Sequence, residues 1–442
     1  MITKKNAEPG EKKFLGIPVP ADLTTAHFFS LYTATLVIAC LMALPAVLQP
    51  AYLKEIINIP KDQAGSINSG LQNMSQIATL FFVGLFGILS DKIGRKVLIV
   101  LGFIVCSIFF IVFGYTKEIS MIMGIEKVGG QIVIAYSIRF VIGIGIVLCF
   151  PQTITMCADY VSPRNRGKAF AMHGAMVGLG SLLVFMVLAQ IARMTGLISL
   201  FYMSGGLGLI GFVITRRGVT DRLPKQKAAS VGFRVIFTEV AKSFPIRVGY
   251  VVTLVTRADI VILATFIILW MVYKADAVGI TPVKATATGG IIMGVMSIVT
   301  LFAYPVLGVL ADRWGRVPLT IAGLFVGGGG LCLMAATENP FSSVMFIYPC
   351  LICVGFSGAA LASGAMTADA SPKKLLGSIM GGLNTMQPIG ILIFLQVGGL
   401  LFDKVGYWAP FAFKGAANLL CGLWILAMKK KIVMPEQEGS QD

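Results

Sequence analysis

Long apolar runs recur along the whole 442-residue chain, and they limit its fold more than any other feature. Each run has about 20 residues, which is enough for a helix to cross about 30 Å of hydrocarbon. A membrane barrel needs short segments that alternate polar and apolar residues, and these runs do not alternate. The sequence therefore predicts an all-α polytopic membrane protein. The twelve predicted transmembrane spans are 26–48, 67–89, 97–115, 132–157, 168–191, 197–215, 248–273, 286–310, 318–336, 343–367, 377–401 and 407–428.

The composition and charge of the chain fit a protein that lies in a bilayer. Hydrophobic residues make up 56% of the sequence and charged residues only 13%, which excludes a water-soluble domain of ordinary composition. The net charge of +16 does not indicate nucleic acid, because about 25 Lys and Arg lie on one set of alternating loops and about 8 on the other. This bias predicts cytoplasmic termini, contact with anionic lipid headgroups, and a cytoplasmic (inner) or plasma membrane location.

A ten-residue phrase occurs twice, at 87–96 and at 308–317. Each copy lies between two predicted spans and has the pattern Gly-x-x-x-Asp-x-x-Gly-Arg. A second match follows in the same order, because an Ala-Asp pair ends both the fourth and the tenth span. Two matched motifs in matched order predict two related halves, an organisation typical of transporters. The repeated residues are Gly87, Asp91, Gly94, Arg95, Lys96 and Asp159 in the first half, and Gly308, Asp312, Gly315, Arg316 and Asp369 in the second.

The repeat and the polar stretches between spans give domain boundaries. We expect a cytoplasmic tail at 1–23, a six-helix bundle at 24–215, a cytoplasmic linker at 216–247, a second six-helix bundle at 248–430 and a tail at 431–442. Within the linker, Phe233, Ile236, Val240 and Phe244 recur at helical spacing. This pattern predicts an amphipathic helix on the bilayer surface, either a simple tether, which we favour, or a regulatory element.

The residue types in the repeated phrase suggest a role at the ends of the helices. We expect Gly87 and Gly308 to let a neighbouring helix approach closely. We expect Asp91 and Asp312 to accept backbone N–H groups at a helix N-terminus. The second glycine of each copy would permit a tight turn.

The arginine of each copy has a natural acidic partner at the end of the fourth or tenth span. We expect Arg95 to clamp Asp159 and Arg316 to clamp Asp369, since a guanidinium binds a carboxylate with two parallel donors. With Lys96 and Arg166 nearby, such clusters would form a conformational latch that closes in one state and opens in the other. The alternative interpretation is a topology signal with ordinary turn chemistry.

On these residues the chain resembles the major facilitator superfamily. The phrase at 87–96 with its echo at 308–317 is similar to that family's signature loop, and Arg139-x-x-x-Gly143-x-Gly145 is similar to a second family motif in the fourth span. The resemblance covers 24–430. It implies two pseudo-symmetric six-helix bundles around a central cavity lined by spans 1, 4, 7 and 10, with rocker-switch alternating access. In the family, the arginine that matches Arg139 has been linked to proton coupling.

The chain departs from two branches of that family. The fifth span has Gly174, Gly178 and Gly180 but lacks the proline typical of proton-coupled drug antiporters. The paired glutamines typical of sugar porters are absent from the seventh span. Leu351 stands roughly where Arg139 would recur in the second half, so we do not expect the halves to be functionally equivalent. These departures disfavour drug efflux and sugar transport and leave the branch open.

Three ionisable residues fall well inside predicted spans, where burial of a charge costs at least ~2.5 kcal/mol. Arg139 and Arg257 would offer positive charge to an anionic substrate, and Asp259 would carry a coupling proton. The alternative is that each arginine satisfies backbone carbonyls or a single acid. Residues two apart on a helix point about 200° apart, so Arg257 and Asp259 are not expected to pair. Lys414 is predicted to snorkel from the end of the last span.

Weaker signals complete the functional prediction. No ATP-binding loop, metal-ligand cluster or nucleophile triad occurs, so we predict neither an enzyme nor a cofactor. We predict a monomeric secondary-active transporter of a small organic solute, anionic or zwitterionic, coupled to protons. The alternatives are an efflux pump for amphipathic or cationic compounds and a transporter-like receptor that does not transport. Further polar candidates for the substrate site are Tyr32, Thr35, Gln76, Asn384 and Gln387.

Overall fold

The computed structural model describes residues 13–162, 165–222, 233–372 and 375–432, and nearly all of them are helical. Within these ranges, twelve helices are long and apolar enough to cross a membrane, which confirms the predicted number. Spans 1 to 6 are Thr25–Glu55, Lys61–Ile93, Arg95–Gly114, Val128–Tyr160, Arg166–Thr195 and Leu197–Gly218. Spans 7 to 12 are Phe244–Lys274, Pro282–Trp314, Arg316–Ala335, Ser343–Ala370, Leu376–Lys404 and Ala409–Ala427.

Several helices extend beyond the predicted apolar runs. Spans 2, 4 and 8 have 33 residues each, or about 50 Å at 1.5 Å per residue. An apolar run marks only the part of a helix that lies in hydrocarbon, so the polar ends escape prediction. Short elements lie outside the spans: a hairpin of strands Lys13–Phe14 and Ile17–Pro18, and helices Thr116–Ile122 and Phe233–Lys242.

The two halves have the same packing pattern, which gives two six-helix bundles. Span 3 packs against spans 4 and 6, and span 2 packs against span 4. In the second half, span 9 packs against spans 10 and 12, and span 8 packs against span 10. The tightest contacts use glycines. A Cβ on Gly102 would lie 2.5 Å from the carbonyl oxygen of Gly145, and one on Gly323 would lie 2.6 Å from that of Gly355, the close backbone approach that stabilises helix pairs in a bilayer.

The halves are tied together at one end of the molecule. We call the end with the loops around Gly94 and Gly315 the motif face and the opposite end the far face. At the far face, Lys54 of span 1 forms a 2.7 Å ion pair with Asp276 after span 7. The carboxylate of Asp403 in span 11 accepts the backbone N–H groups of Gly65 and Ser66 at 2.6 and 2.8 Å. These contacts close the far face.

Towards the motif face the same spans separate. In spans 2 and 11, a Cβ on Gly65 would lie 2.6 Å from the carbonyl oxygen of Gly399. Nearer the motif face, Gly84 of span 2 and Gly381 of span 11 have no atom within 4 Å of an added Cβ. Spans 5 and 8 likewise meet near the far face, where Gly290 packs on a π-helical segment, Val184–Leu188. The structure is therefore closed at the far face and open at the motif face.

The expected linker and tails lie partly outside the described residues. The linker is described for 216–222 and 233–247, and the tails for 13–23 and 431–432. The helix Phe233–Lys242 occupies the position predicted for the amphipathic helix. The side chains of Phe233 and Ile236 are outside the description, whereas Val240 packs against a small apolar cluster of Ile246, Ala370 and Ile379. The linker helix thus contacts the second bundle.

Candidate functional site

The first motif loop is a buried charge cluster. Arg95 forms an ion pair with Asp159 at the end of span 4, and their side chains are only 5% and 11% exposed. A second nitrogen of Arg95 lies 3.6 Å from Asp91. Gly94 has a φ of 97°, which a residue with a Cβ rarely adopts. The expected pairing is present, and it joins spans 3 and 4 of the same half.

This loop is capped by a residue from outside the motif. Asp221, just after span 6, accepts the backbone N–H groups of Arg95 and Lys96, both at 2.9 Å. The prediction that Asp91 would accept these groups was wrong, since Asp91 lies one turn before the helix start. Asp221 is acceptor-only and lies at the positive end of span 3, where a carboxylate is stabilising. The feature of the sequence that could have indicated this cap is the single acid that follows the basic end of span 6.

A further pair extends the cluster to the N-terminal segment. Arg222 donates to the backbone carbonyl of Asp159 at 3.1 Å and forms a 3.0 Å ion pair with Asp22. Arg166 is exposed at the start of span 5 and Lys96 is only part-buried, and the cluster forms without their side chains.

The second motif loop repeats the arginine pair with less burial. Arg316 lies 2.6 Å from Asp369 of span 10, and the two side chains are 31% and 27% exposed. Gly315 has a φ of 90°, so both loops make the same turn. Asp312 is exposed.

The first glycine of each motif does not have the packing role that we expected. An added Cβ at Gly87 or Gly308 would meet no atom within 4 Å. Both glycines lie where the spans separate, so the close approach is absent in this open arrangement.

Two buried charges meet in the C-terminal half. Asp259 of span 7 and Lys414 of span 12 form an ion pair with side chains 1% and 0% exposed. Asn418 accepts a hydrogen bond from Lys414 and donates one to Asp259 at 2.9 Å. The prediction that Lys414 snorkels was wrong. The helix begins at Ala409, and Lys414 points into the bundle, where Asp259 offsets its charge.

Arg257 lies at an interruption of span 7. The helix Phe244–Thr256 ends immediately before it, and Ala258–Lys274 begins immediately after it. Arg257 is part-exposed, and its guanidinium lies over the ring of Phe356 in span 10, 5.9 Å from the centroid. Arg257 and Asp259 do not pair. Arg257 therefore keeps its forked donors available, in contrast to the fully buried Asp259.

Arg139 is enclosed in the N-terminal half. It is 2% exposed, and its Nη2 donates to Gln72 of span 2 at 3.2 Å. Its Nε and Nη1 have no partner among the described residues. Arg139 thus lies behind Gln72, which is part-exposed.

The smaller polar candidates divide into two groups. Tyr32 is 4% exposed and donates to the carbonyl of Ala169 at 3.4 Å. Thr35 is fully buried and donates to Leu31 in its own helix at 2.9 Å. Neither hydroxyl is directed to an open cavity, so their assignment to the substrate site is not supported by the geometry.

The other three candidates, Gln76, Asn384 and Gln387, lie in spans 2 and 11. Asn73 of span 2 donates to Gln396 of span 11 at 3.2 Å. Gln76 lies one turn nearer the motif face and is part-exposed, Gln387 is part-exposed and Asn384 is exposed. All three lie nearer the motif face than Asn73 and Gln396, on the two spans that separate there.

Comparisons with known proteins agree with this architecture. A family model described as Major Facilitator Superfamily matches residues 31–361 and 284–441. The chain is 29% identical to magnetosome protein MamH of Paramagnetospirillum magneticum, over 93% of this chain and 94% of that protein. It is 24% identical to quinolone resistance protein NorA of Staphylococcus aureus, over 92% and 97%. The crystal structure of nucleoside transporter NupG has a TM-score of 0.68 at 14% identity, covering 91% of this chain and 98% of that one.

Proposed function

Since the chain belongs to the major facilitator superfamily and is a transporter, we propose that it moves a small organic solute by rocker-switch alternating access. The observation that carries this proposal is the unequal contact between the halves. They are tied by Lys54–Asp276 and by Asp403 at the far face, and they separate towards the motif face. A cavity open on one side is one of the two states that alternating access requires.

The orientation follows from charge. The basic loops lie on the motif face, so the positive-inside bias makes this face cytoplasmic and the observed state inward-open. Reporter fusions after Lys92 and after Lys404, at opposite faces, test this. A cytoplasmic reporter signal for Lys404 and an external one for Lys92 would reverse the assignment.

The proposed substrate is anionic or zwitterionic. Arg257 supports this proposal, because it is a part-exposed residue in the middle of a span and lies at a helix interruption. Transporters of this kind bind charged groups at such interruptions. Gln76, Asn384 and Gln387, on the two spans that separate towards the motif face, would contact its polar groups. Arg139 would act from behind Gln72 rather than touch the substrate.

Proton coupling is assigned to the buried pair of Asp259 and Lys414. A proton that moves from water to the carboxylate of Asp259 cancels its charge and breaks its pairing with Lys414, and release restores both. Ionisable groups buried in a bilayer are costly and usually functional. Asp259 lies two residues from Arg257, so a change at this pair reaches the substrate side of span 7.

The substrate and the role of Arg257 are tested together. Purified protein is screened for thermal stabilisation by organic anions, zwitterions, cations and amphipaths, since ligand at about 100 times its Kd adds roughly 2.7 kcal/mol. We expect anions or zwitterions to stabilise the wild type and Arg257→Ala to lose the response. Arg247→Ala is the matched control, because Arg247 also lies over an aromatic ring, 5.1 Å from that of Phe244, at the end of the same span.

Two outcomes would redirect the proposal. Efflux of amphipathic compounds is the second candidate, and the likeness to a quinolone resistance protein favours it. Stabilisation by amphipaths or cations alone, unchanged in Arg257→Ala, would select it. A receptor that does not transport would bind its ligand but show no counterflow in sealed liposomes.

The coupling and the moving parts need separate measurements. We expect a pH gradient to drive solute uptake into liposomes that contain the protein as a monomer. The Asp259→Asn variant should lose this pH-driven uptake while its counterflow continues.

Spin labels at Lys92 and Leu376 report the distance between the halves at the motif face, and labels at Asp62 and Lys404 report it at the far face. Substrate should shorten the first distance and lengthen the second; no change in either would contradict alternating access.

A further inference from the structure

A small pocket lies inside the N-terminal bundle, between spans 1, 3 and 4. Spans 1, 3 and 4 all belong to the first half, and the pocket has room for about one water-sized particle. An organic solute therefore does not fit. Two polar residues, Gln49 and Arg139, and five apolar ones form its wall; the apolar residues are Pro45, Leu48, Phe110, Phe113 and Ile142.

Both polar residues of the pocket have atoms that no described group satisfies. Gln49 is 1% exposed, and neither its Nε2 nor its Oε1 has a hydrogen-bond partner. Arg139 donates to Gln72 through Nη2, and its Nε and Nη1 are unpartnered. Buried donors are satisfied in the great majority of cases. These donors around one small space indicate an occupant that accepts hydrogen bonds.

The charge of Arg139 narrows the identity of this occupant. A guanidinium stays protonated in proteins, so Arg139 cannot become neutral to relieve the cost of burial. Within the described ranges, Arg139 forms no ion pair with a carboxylate. Lys414, equally buried in the other half, has Asp259 as its partner. A water molecule would accept hydrogen bonds but would leave the positive charge of Arg139 unbalanced.

We propose that this pocket binds a small monovalent anion, chloride in the cell, as a resident counter-ion of Arg139. The unpartnered Nε–H and Nη1–H groups of Arg139 and the Nε2–H groups of Gln49 donate to it. The rings of Phe110 and Phe113 and the aliphatic walls exclude larger anions. The site holds spans 1 and 4 together and is independent of the identity of the transported solute.

The salt dependence of thermal unfolding tests the proposal on the purified full-length protein. We compare sodium chloride, sodium bromide and sodium gluconate at equal ionic strength, since gluconate is too large for the pocket. Chloride and bromide should raise the Tm with a saturable concentration dependence. Arg139→Gln should have the same Tm in all three salts, and Gln49→Leu should raise the half-saturating chloride concentration about tenfold, in line with the loss of one charge-assisted hydrogen bond. Arg247→Gln should respond like the wild type.

Anomalous diffraction from bromide-grown crystals locates the ion directly and does not depend on any variant folding. A bromide peak beside Arg139 and Gln49 supports the proposal. The absence of both a halide-specific Tm shift and a bromide peak would mean that the pocket holds water only. A halide response that persists in Arg139→Gln would place the anion elsewhere. Neither of these results would bear on solute transport, which counterflow measures.

Discussion

The two motif loops have nearly the same sequence but different surroundings. In the N-terminal half, Arg95 is buried and contacts both Asp159 and Asp91, and Asp221 caps the backbone after Gly94. In the C-terminal half, Arg316 has Asp369 as an ion-pair partner, and about a third of its side chain is exposed. The repeated residues therefore set the turn and the arginine pair in both halves, and residues outside the repeat decide how strongly each loop is held.

This difference has consequences for the latch hypothesis. Both arginine pairs join neighbouring spans of one half, and both are formed while the motif face is open. A latch between the halves would need additional contacts that form when this face closes. The exposed Asp312 and Arg166 are available for such contacts. We expect the N-terminal loop to act as a fixed anchor and the C-terminal loop to be the one that yields.

The largest expected effect comes from removing the acids that pair with the arginines. Asp159→Ala leaves Arg95 buried without its main partner, which should cost about 3 kcal/mol of stability. Asp369→Ala should cost only about 0.5 kcal/mol of stability, because solvent already screens this pair and can hydrate Arg316 once Asp369 is removed. The measurement is thermal unfolding of both variants in the same detergent. Equal losses would show that the burial difference has no energetic meaning.

The turn glycines should show a smaller difference. Alanine at either position must adopt a positive φ, which costs about 1 kcal/mol. Gly94→Ala also brings its Cβ to 2.5 Å from Asp221, whereas Gly315→Ala meets Pro318 at an ordinary 3.7 Å. We expect Gly94→Ala to lower the Tm by about twice as much as Gly315→Ala. If the clash with Asp221 contributes, the double variant Gly94→Ala with Asp221→Ala should lose less stability than the sum of the two single variants. Fully additive losses would contradict the steric explanation.

Much of the fold could be predicted because a bilayer forces backbone groups to pair within each helix. The apolar runs gave all twelve spans, and the repeated phrase gave the two halves and the arginine pairs. Local sequence failed for Lys414, since a position near the end of an apolar run does not say whether a side chain faces lipid or the bundle. It failed for Asp221 because the residue that caps a helix can come from a distant segment, here about 126 positions along the chain.

The candidate site was predicted less completely than the fold. Tyr32 and Thr35 are polar and lie in a span that was expected to line the cavity, but their hydroxyls bond to backbone carbonyls. Helical periodicity alone does not fix the rotation of a span whose faces are nearly equally apolar. The interruption at Arg257 was also missed, because no proline or glycine marks it in the sequence.

The cap on the first loop should have a modest effect that has no counterpart in the second. Asp221→Asn keeps the shape of the side chain but removes the charge that interacts with the N-terminus of span 3. We expect a loss of about 1 kcal/mol, the usual value for a helix cap. The loss should decrease in high salt, since screening weakens such interactions. The control is Asp62→Asn, which changes an exposed acid in the first turn of span 2 at the far face.

The smallest expected change separates a latch from turn chemistry. Asp312 is exposed in this open state, so Asp312→Asn should alter the free energy of unfolding by less than about 0.5 kcal/mol. If Asp312 gains a partner only when the motif face closes, the variant should nevertheless slow counterflow and shift the spin-label distance between Lys92 and Leu376 towards the open value. Normal counterflow with an unchanged distance would mean that the motif in this half serves only to form the turn. The two halves would then differ in role as well as in burial, because only the N-terminal loop would contribute a charge cluster to the mechanism.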